Sequence, residues 1–115
     1  GGNGADFIVG GAGADILTGG AGGDTFVYEN MSDSGDTITD FATSGAVDNL
    51  DLSTMLTNLG YTGTDAFADG YIELTQSGAD TLVQVDSDGG ANSLQTLVTL
   101  QNVNVGDVDT GAWIV

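Results

Sequence analysis

The sequence predicts a mainly β chain, in which a stack of short parallel strands leads into a β-rich cap with one short helix. Three observations predict it. The first 27 residues divide without gaps into GGNGADFIV, GGAGADILT and GGAGGDTFV; from Tyr71 onward YIELT, TLVQV and TLVTLQNV read as strands; and helical spacing is confined to Leu52, Met55, Leu56 and Leu59.

Each nine-residue unit has Gly at positions one, two and four, an Asp at position six (Asp6, Asp15, Asp24) and an apolar residue at position eight (Ile8, Leu17, Phe26). Glycine tolerates positive φ and close backbone approach, so GGxGxD reads as a tight turn and the next three residues as a short strand. One turn and one strand cannot bury their own apolar side chain. Stacking the units as a parallel β-helix, two per coil, lays the position-eight side chains over one another in a narrow core. A fourth unit, YENMSDSGD, keeps only Asp33 in the nine-residue register.

Glycine density then falls, and a soft boundary at residues 28–36 separates a repeat segment, 1–36, from a cap, 37–115. Thr37–Phe41 and Asn49–Leu52 alternate as strands. Ser53 is placed to N-cap the short helix over residues 53–59, and Gly60 to end it. Turn signals at Ser77-Gly78 and at Asp86–Gly90 divide the remaining strands into an antiparallel meander.

The chain has 115 residues and 17 acidic groups, with no Lys, Arg, His, Cys or Pro, giving a formal net charge of -17. Lacking any side-chain cation, it cannot neutralise phosphates, which argues against nucleic acid and anionic membrane surfaces as partners. Thiol and imidazole chemistry is likewise excluded, as are zinc sites of the usual kind. No run of about 18 apolar residues is available to insert in a membrane. Leu, Ile, Val and Phe nevertheless number 29, about 25% of the chain, above the roughly 20% below which disorder is expected. A fold conditional on an external cation follows. The opening Gly lies inside a repeat, without initiator Met or signal pattern, so the chain reads as a segment of a longer protein with upstream domains.

Stacked turns bring the aspartates together. Adjacent strands lie about 4.8 Å apart, so a Ca²⁺ ion with oxygen ligands at roughly 2.3–2.6 Å fits between an Asp from each layer. Without the ion, two carboxylates about 5 Å apart repel by roughly 3 kcal/mol at an effective dielectric of about 20. Two carboxylates do not fill a six- to eight-fold shell, so backbone carbonyls supply the rest. Mg²⁺, which demands tighter octahedral geometry, fits less well.

On these residues the chain resembles the RTX, or repeats-in-toxin, β-roll proteins, whose repeat GGxGxDxUx is a calcium-binding motif. The resemblance implies a right-handed parallel β-roll holding two or three Ca²⁺ ions. One ion would take carbonyls of Gly2 and Gly4 with Asp6, and carbonyls of Gly19 and Ala21 with Asp24. A second would use Gly11, Gly13 and Asp15 against the degenerate turn that carries Asp33. A third would pair Gly20, Gly22 and Asp24 with Asp36 or Asp40. Further along, GDTITDFATSGAVDNLDLSTML and GADTLVQVDSDGGANSLQTLVTLQNV resemble the C-terminal target region of proteins exported by bacterial type I secretion.

Other candidate features read as structural. Asp86 and Asp88 could begin a Ca²⁺ loop, but the downstream Glu is missing and a hairpin turn is the better reading. Asp51 is better placed to cap the helix than Asp48 and Asp51 are to bind metal. Tyr61, Tyr71 and Trp113 are read as packing rather than sugar-stacking residues. The functional expectation is therefore a non-catalytic, calcium-triggered C-terminal module of a large secreted or surface-exposed bacterial protein, an adhesin first. Its partners are calcium, the type I secretion channel and upstream domains. The alternatives are the C-terminal roll of a secreted protease or lipase, and a roll with its own ice- or sugar-binding face, which the turn residues Asn3, Ala12 and Ala21, lacking a regular Thr or Asn row, do not favour.

Overall fold

The computed structural model describes residues 2–63, 65–87, 94–108 and 113. Its first half is a sequence of very short strands: β1 (Gly2–Asn3), β2 (Phe7–Ile8), β3 (Ile16–Leu17), β4 (Gly20–Ala21), β5 (Thr25–Val27), β6 (Asp36–Ile38) and β7 (Asn49–Asp51). Parallel pairing joins β1 to β4, β2 to β5 to β7, and β3 to β6. The stack is therefore a β-roll with two strand-bearing faces, and it continues beyond the glycine-rich repeats through β6 and β7.

The pairing register lays apolar residues in two inner columns. Ile8, Phe26 and Leu50 align on one face, and Leu17, Ile38 and Leu100 on the other. Phe26, Ile38, Leu50 and Leu100 are buried, whereas Ile8 and Leu17 in the first coil are half-buried. Phe7 and Ile16, one position earlier in their units, point outward and are 77% and 79% exposed. That alternation is the period-two pleat applied to a two-residue strand.

Close stacking depends on glycine at two positions. Gly20 and Gly22 have φ of +93° and +112°, and a Cβ on either would run into the carbonyl oxygen of Gly2 or Gly4 in the coil above. A side chain at those places would strain the backbone and separate the layers.

After β7 the chain enters α1 (Ser53–Asn58), which buries Met55 and Leu56. The helix confirms the periodicity of residues 52–59 but not the expected cap. Leu52 holds the N-cap position without a side-chain bond, and Ser53 is already helical. Asp51 takes over, its Oδ1 accepting from the amide of Ser53 at 3.1 Å and from its hydroxyl at 2.6 Å. Gly60 ends the helix at φ +84°, donating to the Thr57 carbonyl at 3.0 Å.

The cap is the expected meander. β8 (Ile72–Ser77), β9 (Asp80–Val85) and β10 (Gln95–Leu100) pair antiparallel, with a bulge between Thr96 and Val98. β10 then pairs in parallel with β6, giving one five-stranded sheet in the order β3-β6-β10-β9-β8. Roll and cap therefore share a sheet. They share an aromatic core as well: Phe41 lies 6.2 Å from both Phe26 and Trp113, and Phe67 lies 6.2 Å from Trp113. Trp113 is buried, in keeping with packing. The Cα radius of gyration, 13.1 Å, is that of one compact body of this length, about 13 Å. No helix among the described residues is long and apolar enough to cross a membrane.

Candidate metal centre

The turns of the roll set the aspartates in two stacks, and a repeated hydrogen bond fixes each step. The amide of Asp6 donates to Oδ1 of Asp24 at 2.9 Å across a separation of 18 residues. On the opposite edge the amide of Asp15 donates to Oδ1 of Asp36 at 2.7 Å across 21 residues. The amide of Asp24 donates in turn to Oδ1 of Asp48 at 2.8 Å across 24 residues. Successive coils thus lengthen, while each position-six carboxylate still sits under the amide of the one above.

The second oxygens divide into two kinds. Oδ2 of Asp6, Asp15, Asp24 and Asp36 is buried with no hydrogen-bond partner. Oδ2 of Asp48 instead accepts from the amide of Ala42 at 2.9 Å. A Cβ on Gly10 would lie 3.0 Å from Oδ2 of both Asp15 and Asp36, so those two oxygens converge beside the glycine that opens the second repeat. At Gly19, which opens the third repeat, a Cβ would collide with Oδ2 of Asp24. Position one of the repeat is glycine because the carboxylates occupy the space a side chain would need.

The predicted ligands separate accordingly. Asp6 meets Asp24 as expected, with Gly2 paired to Gly20 and Asn3 to Ala21. Asp15, however, meets Asp36 and not Asp33. Three residues, Tyr28, Glu29 and Asn30, lengthen this coil, so the turn equivalent to GGAGAD is Met31–Asp36, its Ser32 carbonyl accepting from Gly13 at 3.1 Å. The Asp33 carboxylate closes a local 3-10 turn, accepting from the amides of Glu29 and Asn30, each at 3.3 Å. Asp40 accepts from the amides of Gly19 and Gly20, both at 2.8 Å, so its two oxygens are occupied. Beneath the turn of Gly20, Gly22 and Asp24, the structure therefore places Asp40 and Asp48, both hydrogen-bonded, while Asp36 lies on the other edge with Asp15.

Sequence reasoning missed Gly10, Tyr28 and the ladder role of Asp48. The length of an irregular coil leaves no periodic signal, so a strict nine-residue count points to Asp33. Asp86 is buried, and Asp88 lies outside the described residues.

Burial works against these charges. It pushes the Asp36 carboxyl above its ordinary range, partly offset by the Asp15 amide and Tyr28, and the charges of Asp15 and Asp33 push the same way as burial. Burial likewise raises Asp48, with the amides of Asp24 and Ala42 opposing. Among the described residues no three acidic side chains converge on one point. The donor set is a carboxylate pair plus nearby turn carbonyls, an all-oxygen set suited to a hard divalent cation. Four buried carboxylate oxygens without partners are what such a cation would satisfy.

Residues 1–29 match the family described as RTX calcium-binding nonapeptide repeat (4 copies). The N-terminal segment carries RTX repeats. No curated protein matches the chain significantly in sequence. Among 22 solved chains with significant structural similarity is the solution structure of the AlgE6R3 subunit from the Azotobacter vinelandii mannuronan C5-epimerase. It aligns with a TM-score of 0.62 at 25% sequence identity, covering 96% of this chain. The chain spans 66% of the length of that subunit. Fold, repeat and donor set agree on a calcium-binding RTX β-roll.

Proposed function

We propose that this chain is a non-catalytic module whose folding is switched on by Ca²⁺, and that it holds two ions. The observation that carries the reading is the set of buried, partnerless Oδ2 atoms on Asp6, Asp15, Asp24 and Asp36. The first ion falls to Asp6 and Asp24 with the carbonyls of Gly2, Gly4, Gly19 and Ala21. The second falls to Asp15 and Asp36 with the carbonyls of Gly11 and Gly13. Further oxygens of the second site come from the irregular turn Met31–Asp36 that faces it. Bound Ca²⁺ supplies the positive charge that lets facing carboxylates and carbonyls share one buried space.

The chain's own residues make the switch steep. Each carboxylate pair repels when bare, and no Lys or Arg in the sequence offsets it. Calcium at roughly 10 to 100 times the dissociation constant stabilises the folded form by about 1.4–2.7 kcal/mol per site. In a calcium-poor cytosol the chain stays unfolded and can be threaded through a secretion channel; outside the cell it folds. Residues 37–115 then cap the roll and carry the type I export signal, at the C-terminal end of a secreted or surface protein such as an adhesin. A second reading, the C-terminal roll of a secreted enzyme, is favoured by the origin of the structural neighbour, a subunit of an epimerase.

Isothermal titration of the calcium-free chain tests the core of this reading. Two Ca²⁺ ions are expected per chain, with Asp6→Asn and Asp36→Asn each removing one. No binding, or binding that survives both substitutions together, contradicts it.

A further inference from the structure

Next to the second site stands a polar group that the nonapeptide does not specify. Tyr28 follows β5 directly, its amide donating to the Asp51 carbonyl at 3.0 Å. Its side chain turns inward and is 1% exposed, and Oη makes no bond of full hydrogen-bond geometry, although Asp36 lies near enough for the two groups to act on each other as donor and acceptor. Leaving a buried hydroxyl without a full partner is destabilising, a cost that phenylalanine would avoid in the same packing. The charged groups facing this hydroxyl are all carboxylates: Asp36 foremost, then Asp15 and Asp33. Asp36 is the complementary case, with Oδ1 held by the Asp15 amide and Oδ2 unpartnered.

We propose that Tyr28 is a positioning residue of the Asp15–Asp36 ion site, its hydroxyl donating to the Asp36 carboxylate and holding it toward Asp15. This inference rests on the two-ion reading above. A phenol is a proton donor throughout the neutral range. The second site is where such support is needed. Its lower turn has Met31 and Ser32 where the first site has Gly19 and Gly20, and it follows a coil three residues longer. The other two tyrosines, Tyr61 and Tyr71, pack on each other in a tilted pair with ring centroids 4.5 Å apart.

The experiment is a calcium titration of the whole chain as wild type and as Tyr28→Phe, followed by calorimetry and by tyrosine ultraviolet difference absorption. Asp6→Asn and Asp36→Asn assign the two binding events. The expected result is that Y28F leaves the Asp6–Asp24 site unchanged, weakens the Asp15–Asp36 site by about tenfold or more, and abolishes the difference signal that accompanies it. In an Asp36→Asn background, Y28F has no further effect on the remaining site. Wild-type affinity at both sites in Y28F overturns the proposal, as does equal weakening of both, which marks a general packing role. Failure of the wild type to bind any ion contradicts the two-ion reading instead, so the two failures are distinguishable.

Discussion

Asp24 does three things at once: its amide donates to Asp48, its Oδ1 accepts from Asp6, and its Oδ2 is buried and open to a ligand. Asp33, by contrast, serves two local amides at 3.3 Å. Asp24→Asn is accordingly expected to raise the calcium midpoint for folding at least tenfold, and Asp33→Asn to shift it by less than about threefold, the scale of a weak local hydrogen bond. Circular dichroism at several calcium concentrations checks the pair. Protonation separates the two states of the molecule. Asp36 and Asp48 have folded-state values raised above the ordinary 3.8, so the folded chain binds protons more readily than the unfolded one. In calcium-free protein, acidification from neutral toward 3.8 is expected to stabilise the fold, and that gain is lost as pH rises through the raised values. In calcium-loaded protein protons compete with the ion, and the same acidification destabilises. Circular dichroism across pH checks the sign: acidification is expected to raise the β signal of calcium-free chain and to lower that of calcium-loaded chain.

The coils lengthen from 18 to 21 to 24 residues, and the ladder ends where the carboxylates acquire protein partners. Beneath Asp24, all four oxygens of Asp40 and Asp48 accept backbone amides at 2.8–2.9 Å. Neither carboxylate of this layer therefore offers a third ion a partnerless oxygen of the kind found at the two sites above. Asp48→Asn turns an NH2 group toward one of the two backbone donors while its oxygen still serves the other, costing about 1–3 kcal/mol. Calorimetry is expected to show a lower melting temperature with two ions still bound; loss of an ion would show that Asp48 is a ligand. This is also where the sequence stops being legible. The repeat gave away Asp6 with Asp24 because stacking two nine-residue units per coil is a local rule. The strands of the meander and the helix at residues 53–58 showed themselves through period and punctuation. Sequence reasoning makes Asp36 a ligand but gives it Asp24 as its partner, and it misses the role of Asp48, because both partners are set by coils of 21 and 24 residues that leave no nine-residue signal. Ser53 does not cap the helix, but the capping role read for Asp51 holds: β7 delivers it to the helix start by its pairing with Val27.

At the scale of the whole molecule, 17 acidic groups without one basic side chain are folded around a sheet that runs from the roll into the cap. β10 links the two, pairing with β6 on one side and β9 on the other. The cap buries Val83, Val85, Leu97, Val98 and Leu100 against the same core as Phe26 and Ile38, which supplies a floor on which coils can stack. The upper coils depend on the ion: their inner residues Ile8 and Leu17 are only half-buried, too little apolar burial to offset the facing carboxylates. The most direct test is far-UV circular dichroism of the chain during Ca²⁺ titration, with Mg²⁺ as the control. Ca²⁺ is expected to give a cooperative gain of β signal and equal Mg²⁺ none; a chain fully β-structured in chelator and unchanged by Ca²⁺ would contradict calcium-triggered folding.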